Sequence, residues 1–188
     1  NTAASFNLSR RFANGATLEA GALESRGDAE YDGFYARTQS GQRAISAKAG
    51  ISPHSAWRSQ LSVGTYLDVA DNYYTDNTLG SSIETRRETA GWQNDFTLAE
   101  KQLVTAGLDA LTEEVGGTIA YSETKRDNTA GYLQYLGEFG AVSLQLGGRR
   151  DHSSDYGDTN TGQAVLGVRL SPTLRLTAIF SPCITATP

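Results

Sequence analysis

Hydrophobic side chains in this chain recur at every second residue, and they do so over unusually long stretches. From Trp57 the odd positions read Trp57, Ser59, Leu61, Val63, Thr65, Leu67 and Val69. The even positions between them read Arg58, Gln60, Ser62, Gly64, Tyr66 and Asp68. Successive side chains of a strand point to opposite faces, so this segment is extended, with one apolar and one polar face. A helix would scatter the same residues around its axis.

The pattern recurs along the chain. Ile45, Ala47, Ala49 and Ile51 alternate with Ser46, Lys48 and Gly50. Ala90, Trp92, Phe96 and Leu98 share a parity that only Asn94 breaks. Val104 to Ala110, Val142 to Leu146, Leu166 to Leu170 and Leu174 to Phe180 follow suit. Weaker versions hold Phe6, Leu8 and Phe12, then Leu18, Ala20 and Ala22. The expected fold is all-β, an antiparallel meander of about ten strands, many near the roughly 9–11 residues that cross a bilayer when tilted. Soluble strands run about 5–6 residues.

The connections alternate as well. Short ones are expected at 13–16, 52–56, 99–101, 137–141 and 171–173, and long polar ones at roughly 27–41, 71–83, 116–125 and 153–159. Asn14-Gly15 is a strong hairpin signal. Phe12, Trp57, Phe96, Tyr135 and Phe139 gather beside the short turns, as an interfacial aromatic girdle does. Short turns on one side and long loops on the other suit a transmembrane β-barrel. A soluble sandwich with the same alternation would bury its apolar face against a second layer.

Composition narrows the functional classes. A net charge of −5 without a basic stripe argues against a nucleic-acid partner. The single cysteine, Cys183, cannot form an internal disulfide. No run approaches the roughly 18 apolar residues of a membrane helix, which leaves barrel strands untouched. No nucleotide-binding, hydrolase or zinc motif is present. His54 falls in a short turn. His152 is flanked by Asp151 and Asp155, and an Asp-His pair can orient a general base, so a barrel enzyme is one reading. A polar loop entrance is the plainer one. Glu30, Asp32, Asp71 and Asp76 are candidate calcium ligands in the long loops.

Several stretches resemble one family. "RDNTAGYLQYLGEFGAVSLQLGGRRDHSSDYG" (126–157) is similar to a hairpin of the barrel of TonB-dependent outer-membrane transporters. "TAGLDA" (105–110), "SQLSVGTYLDVADNYY" (59–74) and "EYDGFYA" (30–36) match further family strands in order and spacing. Within the family the resemblance is to members that carry cobalamin (vitamin B12). It implies that residues 1–188 are part of the barrel, with the plug domain, the first strands and the C-terminal strands lying outside them. It implies a bacterial outer-membrane location, contact with its lipid, coupling to the TonB complex through the plug, and no catalysis. It also implies that Asn72 and Tyr31 contact cobalamin, and that Asp32 is a calcium ligand.

The chain departs from the family in places. Gly41-Gln42 stand where a second calcium-binding Asp is expected. The ending "SPCITATP" has no periodic pattern and replaces a family segment, which reads as a truncation or frame slip. No cofactor is required on this reading. A siderophore or haem receptor of the same family, and a small complete porin-like barrel, remain alternatives. A partial barrel would leave two open sheet edges, so the chain alone is expected not to insert as a stable monomer.

Overall fold

The computed structural model describes residues 1–185, and every regular element among them is a strand. In order these are β1 (Thr2–Arg11), β2 (Thr17–Glu30), β3 (Arg37–His54), β4 (Trp57–Tyr73), β5 (Leu79–Ala99), β6 (Gln102–Gly117), β7 (Lys125–Phe139), β8 (Val142–Ser153), β9 (Gly157–Arg169), β10 (Arg175–Phe180) and β11 (Cys183–Thr185). The first ten form an antiparallel meander in chain order within one sheet. β11 pairs with β9 beyond the end of β10, with Cys183 opposite Thr161. The ending is therefore not wholly irregular, because its first residues still find a backbone ladder. The rest of that ending, 186–188, lies outside the described residues.

The chain divides into two compact units. One comprises Asn1–Ala49, Ser62–Ala90 and Leu111–Asp127. The other comprises Gly50–Leu61, Gly91–Ala110 and the chain from Asn128 on.

In the second unit the registers align the parity sets of neighbouring strands. Val142, Val168 and Leu176 lie in one cross-strand row. Leu144, Leu166 and Ala178 form the next, and Leu146, Ala164 and Phe180 a third. Tyr135 faces Leu146, and Phe139 faces Val142, so β7 joins the same surface. Directly opposed residues share a face, so the result is one continuous apolar surface. It is not buried. Leu133 is 58% exposed, Leu176 56% and Phe180 68%. Among the described residues, Ala130 is the only buried apolar one. Covering a leucine or phenylalanine side chain is worth about 1.5–3 kcal/mol, so a face like this needs an apolar surrounding.

The opposite face of this unit is hydrogen-bonded. Thr105 Oγ1 donates to Asp95 (2.8 Å), and Gln93 Nε2 donates to the same carboxylate (3.1 Å). Tyr132 Oη donates to Gln93 Oε1 (3.2 Å). The Arg149 guanidinium lies over the Tyr132 ring, 5.8 Å from its centroid, and bonds both Asp109 (2.5 Å) and Asp151 (3.0 Å).

Asn94, which breaks the apolar parity of β5, has a partner. Its Oδ1 accepts the Trp57 indole N–H at 3.1 Å, and the residue is 8% exposed. Trp57 also stacks on Phe96, with ring centroids 5.8 Å apart and planes 19° apart. The polar exception therefore satisfies an indole donor on the otherwise apolar face. Asn94→Leu is expected to cost about 1 kcal/mol, because the indole N–H loses its acceptor. A shift of Trp57 fluorescence, read against Trp92→Phe as background, checks this. An unchanged spectrum and stability would count against the pairing.

In the first unit β1 and β2 repeat the rule. Phe6 faces Ala22 and Leu8 faces Ala20, while Asn7 faces Gly21 and Ser9 faces Glu19. The Asn14-Gly15 turn closes as expected. Gly15 has φ +81°, and Phe12 N–H donates to Ala16 O at 2.8 Å.

The long connections are shorter than the polar composition predicts. Regular pairing stops there only at 31–36, 74–78, 118–124 and 154–156. The strands run on through polar sequence because lateral polar pairs take over from apolar contacts. Arg37 Nε donates to Asp28 Oδ1 (2.8 Å), Arg87 Nε to Glu113 Oε2 (3.0 Å) and Thr112 Oγ1 to Asp127 Oδ1 (2.6 Å). Hydropathy alone confuses a polar strand with a loop. β3 to β6 accordingly exceed the lengths expected for bilayer crossing.

Candidate ligand-binding rim

Two adjacent connections of the first unit, 31–36 and 74–78, carry the residues that the sequence nominates. They are locked by backbone bonds. Tyr31 N–H donates to Ala36 O (3.0 Å), and Ala36 N–H donates to Tyr73 O (2.9 Å), which seats the 31–36 loop on the end of β4. Tyr74 N–H donates to Thr78 O (3.0 Å), and Asn77 N–H to Tyr74 O (3.0 Å). Asn77 takes φ +63°, a conformation asparagine tolerates better than most residues. Asp76 Oδ1 accepts from both Thr78 N–H (3.0 Å) and Thr78 Oγ1 (2.5 Å). Those two bonds, the hydroxyl first, hold the Asp76 carboxyl below the usual aspartate range.

Asn72 sits one residue before the end of β4. Its Oδ1 accepts from Thr38 Oγ1 on β3 at 2.5 Å, and its Nδ2 donates to Ser81 Oγ on β5 at 3.0 Å. Ser81 is 6% exposed. One amide thus ties three strands together and keeps one N–H unassigned by either bond.

Three aromatic rings meet where the 31–36 and 74–78 connections come together. Phe34 lies 5.0 Å from Tyr35 and 5.4 Å from Tyr74 between centroids, both edge to face. Tyr35 and Tyr74 are 5.4 Å apart and tilted by 36°. Sequence reasoning nominated Asn72, Tyr31 and Asp32, and passed over Thr38, Ser81 and these rings. The run Phe34-Tyr35 and the pair Tyr73-Tyr74 were the available signal, since aromatics on polar connections have no core to fill.

Tyr31 is 45% exposed and joins the rim through its backbone. Asp32 lies on the exposed 31–36 connection. Among the described residues no three His, Cys, Asp or Glu side chains converge where a metal could be held. Calcium takes about 6–8 oxygens. Asp28 is engaged by Arg37 and Asp76 by Thr78.

His54 ends β3, and its Nδ1 accepts Ala56 N–H at 3.1 Å, closing the short turn. His152 pairs with Asp158, Nδ1 to Oδ1 at 2.7 Å, and its cross-strand partner is likewise Asp158. Arg150 Nη2 shares that carboxylate at 2.6 Å. Asp151 is on the other face with Arg149, because adjacent strand residues diverge. The His152 ring is thus bonded to the cross-strand Asp158, a carboxylate that Arg150 shares.

An antiparallel meander of long strands with an open apolar face is consistent with part of a transmembrane β-barrel. The chain belongs to the TonB-dependent receptor family: residues 1–181 match the family described as TonB dependent receptor-like, beta-barrel. It is also 32% identical over 157 residues to the vitamin B12 transporter BtuB of Photobacterium profundum. That match covers 81% of this chain and 26% of the relative, so the chain spans about a quarter of that protein's length.

Proposed function

We propose that this chain forms wall and ligand-facing rim of a TonB-dependent transporter in the bacterial outer membrane, and that the transported ligand is cobalamin. The family match along nearly the whole chain carries the transporter reading. The similarity to a vitamin B12 transporter supports the ligand. The open apolar face supports a lipid setting, because lipid covers it at no hydration cost. Capture occurs at the rim. The ligand then passes through the lumen when TonB acts on parts of the receptor outside this segment. The segment itself binds and encloses, and performs no bond chemistry.

Asn72 is the residue to test. Its remaining N–H and the second lone pair of Oδ1 can serve a ligand amide, and its two protein bonds fix where they point. Asn72→Ala removes the ligand contact and both inter-strand bonds, each worth about 0.5–1.5 kcal/mol. Cyanocobalamin affinity of the full-length protein in outer-membrane vesicles is expected to fall about tenfold or more. Undetectable cyanocobalamin binding by the unmutated protein would remove cobalamin as the ligand. Unchanged affinity in Asn72→Ala would remove Asn72 from the site.

A further inference from the structure

We infer that Arg150 binds the headgroup phosphate of a membrane lipid, and that Gly148 and Gly162 leave a notch beneath it for the lipid's backbone and upper chains. This rests on the lipid setting of the apolar face and is independent of which ligand is transported.

The site follows from parity and register on β7, β8 and β9. Leu144, Leu146, Gly148, Arg150 and His152 alternate onto one face of β8. The same face of β9 carries Val168, Leu166, Ala164, Gly162, Asn160 and Asp158. The apolar rows therefore give way to a row of Leu133, Gly148 and Gly162. The next row holds Gly131, Arg150 and Asn160, and the one after it Thr129, His152 and Asp158.

The change of chemistry falls at a membrane boundary. Leu170 N–H donates to Leu174 O at 2.9 Å, which opens the apolar run at the turn end of β9. From Leu170 to Asn160 the strand measures about 34 Å at about 3.4 Å per residue, or about 24–28 Å of height at a tilt of about 35–45°. The lipid-facing band of a barrel is about 25 Å tall. Arg150 thus stands level with the headgroups on that side.

The local geometry suits a phosphate. Arg150 Nη2 donates to Asp158 Oδ2 at 2.6 Å, and His152 Nδ1 lies 2.7 Å from Asp158 Oδ1. Both carboxylate oxygens are used on these basic groups. The Arg150 side chain still keeps 68% exposure, and its guanidinium has N–H groups beyond that bond. A guanidinium fork matches a phosphate's paired oxygens, and an exposed ion pair alone gains little. Directly below, a Cβ on Gly148 would meet nothing within 4 Å. A Cβ on Gly162 would meet Pro182 Cγ at 3.5 Å. Leu133 and Pro182 therefore wall a notch floored by backbone, and a strand glycine of this kind lets a ligand approach closely.

Native mass spectrometry of the detergent-solubilised full-length protein, titrated with lipid, tests this. The probes are dioleoyl phosphatidylglycerol and dioleoylglycerol, which has the same chains and no phosphate. Arg150→Gln is expected to weaken phosphatidylglycerol binding about tenfold or more, the effect of losing a charge-assisted bond. Gly148→Leu, which fills the notch and keeps the charge, is expected to weaken it severalfold. Dioleoylglycerol binding should be the same in all variants. Arg169→Gln removes a guanidinium from the opposite face and should leave phosphatidylglycerol binding unchanged. Equal heat-modifiable migration verifies folding. Unchanged phosphatidylglycerol binding in Arg150→Gln overturns the clamp, as does an equal loss in Arg169→Gln or an equal loss of dioleoylglycerol. Unchanged binding in Gly148→Leu overturns the notch. Displacement of the lipid by glycerol 3-phosphate would mean a site for soluble anions, which also overturns it. If the unmutated protein holds both lipids equally, the clamp falls and the lipid face stands. If it holds neither, both fall.

Discussion

Leu166→Arg is expected to cost about 2–4 kcal/mol of folding stability in a bilayer, the penalty for arginine near the midplane of a barrel's lipid face. Leu166 lies midway along the apolar part of β9, between Leu144 and Ala178 in its cross-strand row. Ala164 and Val168 flank it on the same face, and Asn160 ends the apolar run. The guanidinium has no carboxylate within that row and must reach for the interface. Gln163→Arg is the control. It places the same side chain on the opposite face, where Gln163 already bonds Gln145 Nε2 at 3.3 Å. A polar surface position of that kind is expected to change stability by no more than about 0.5 kcal/mol. Urea titration of full-length protein folded into phosphatidylcholine vesicles measures both. Equal stability of the two variants would mean that the Leu166 face does not meet lipid.

Gly117→Ala is expected to cost at least about 1–3 kcal/mol, the range for a side chain forced into sparsely populated backbone space. Gly117 ends β6 with φ +147°, and an added Cβ would overlap the backbone carbonyl of Ser82 on β5. A backbone atom within a ladder cannot swing aside as a side-chain tip can. The neighbouring Thr118 makes a reciprocal pair with Ser82. Its N–H donates to Ser82 O at 3.0 Å, and its Oγ1 accepts Ser82 N–H at 3.0 Å. Both bonds should open, so the amides of Ser82 and Thr118 should exchange hydrogen faster. Gly116→Ala, where a Cβ meets nothing within 4 Å, is expected to leave exchange unchanged. If the two variants behave alike, the close approach of β6 to Ser82 is not a structural requirement.

The fold was largely legible because parity is a local property. Val142, Leu144 and Leu146 share a face whatever their neighbours do, and turns such as Asn14-Gly15 are set by residues within them. The limits of the strands were less legible. Residues 79–89 lack the apolar alternation of 90–98, yet both belong to β5, because Arg87 finds Glu113 across the sheet. Such pairing depends on a partner 26 residues away. The candidate site was legible only in pieces. Asn72 and Tyr31 were named by resemblance, but nothing local connects Asn72 with Thr38 and Ser81. Phe34 and Tyr74 lie on different connections, and only the docking of 31–36 onto β4 brings them into contact.

By itself the sequence determined the chemical identity of the two faces, the antiparallel order and the sites of the tight turns, because these follow from residues two to four positions apart. Only the tertiary structure decided the rest. It gave Asn94 its indole partner, turned His152 toward Asp158, and built the rim from two loops. Each of these depends on register, and register decides which distant side chains come within about 3 Å, the range in which a hydrogen bond forms.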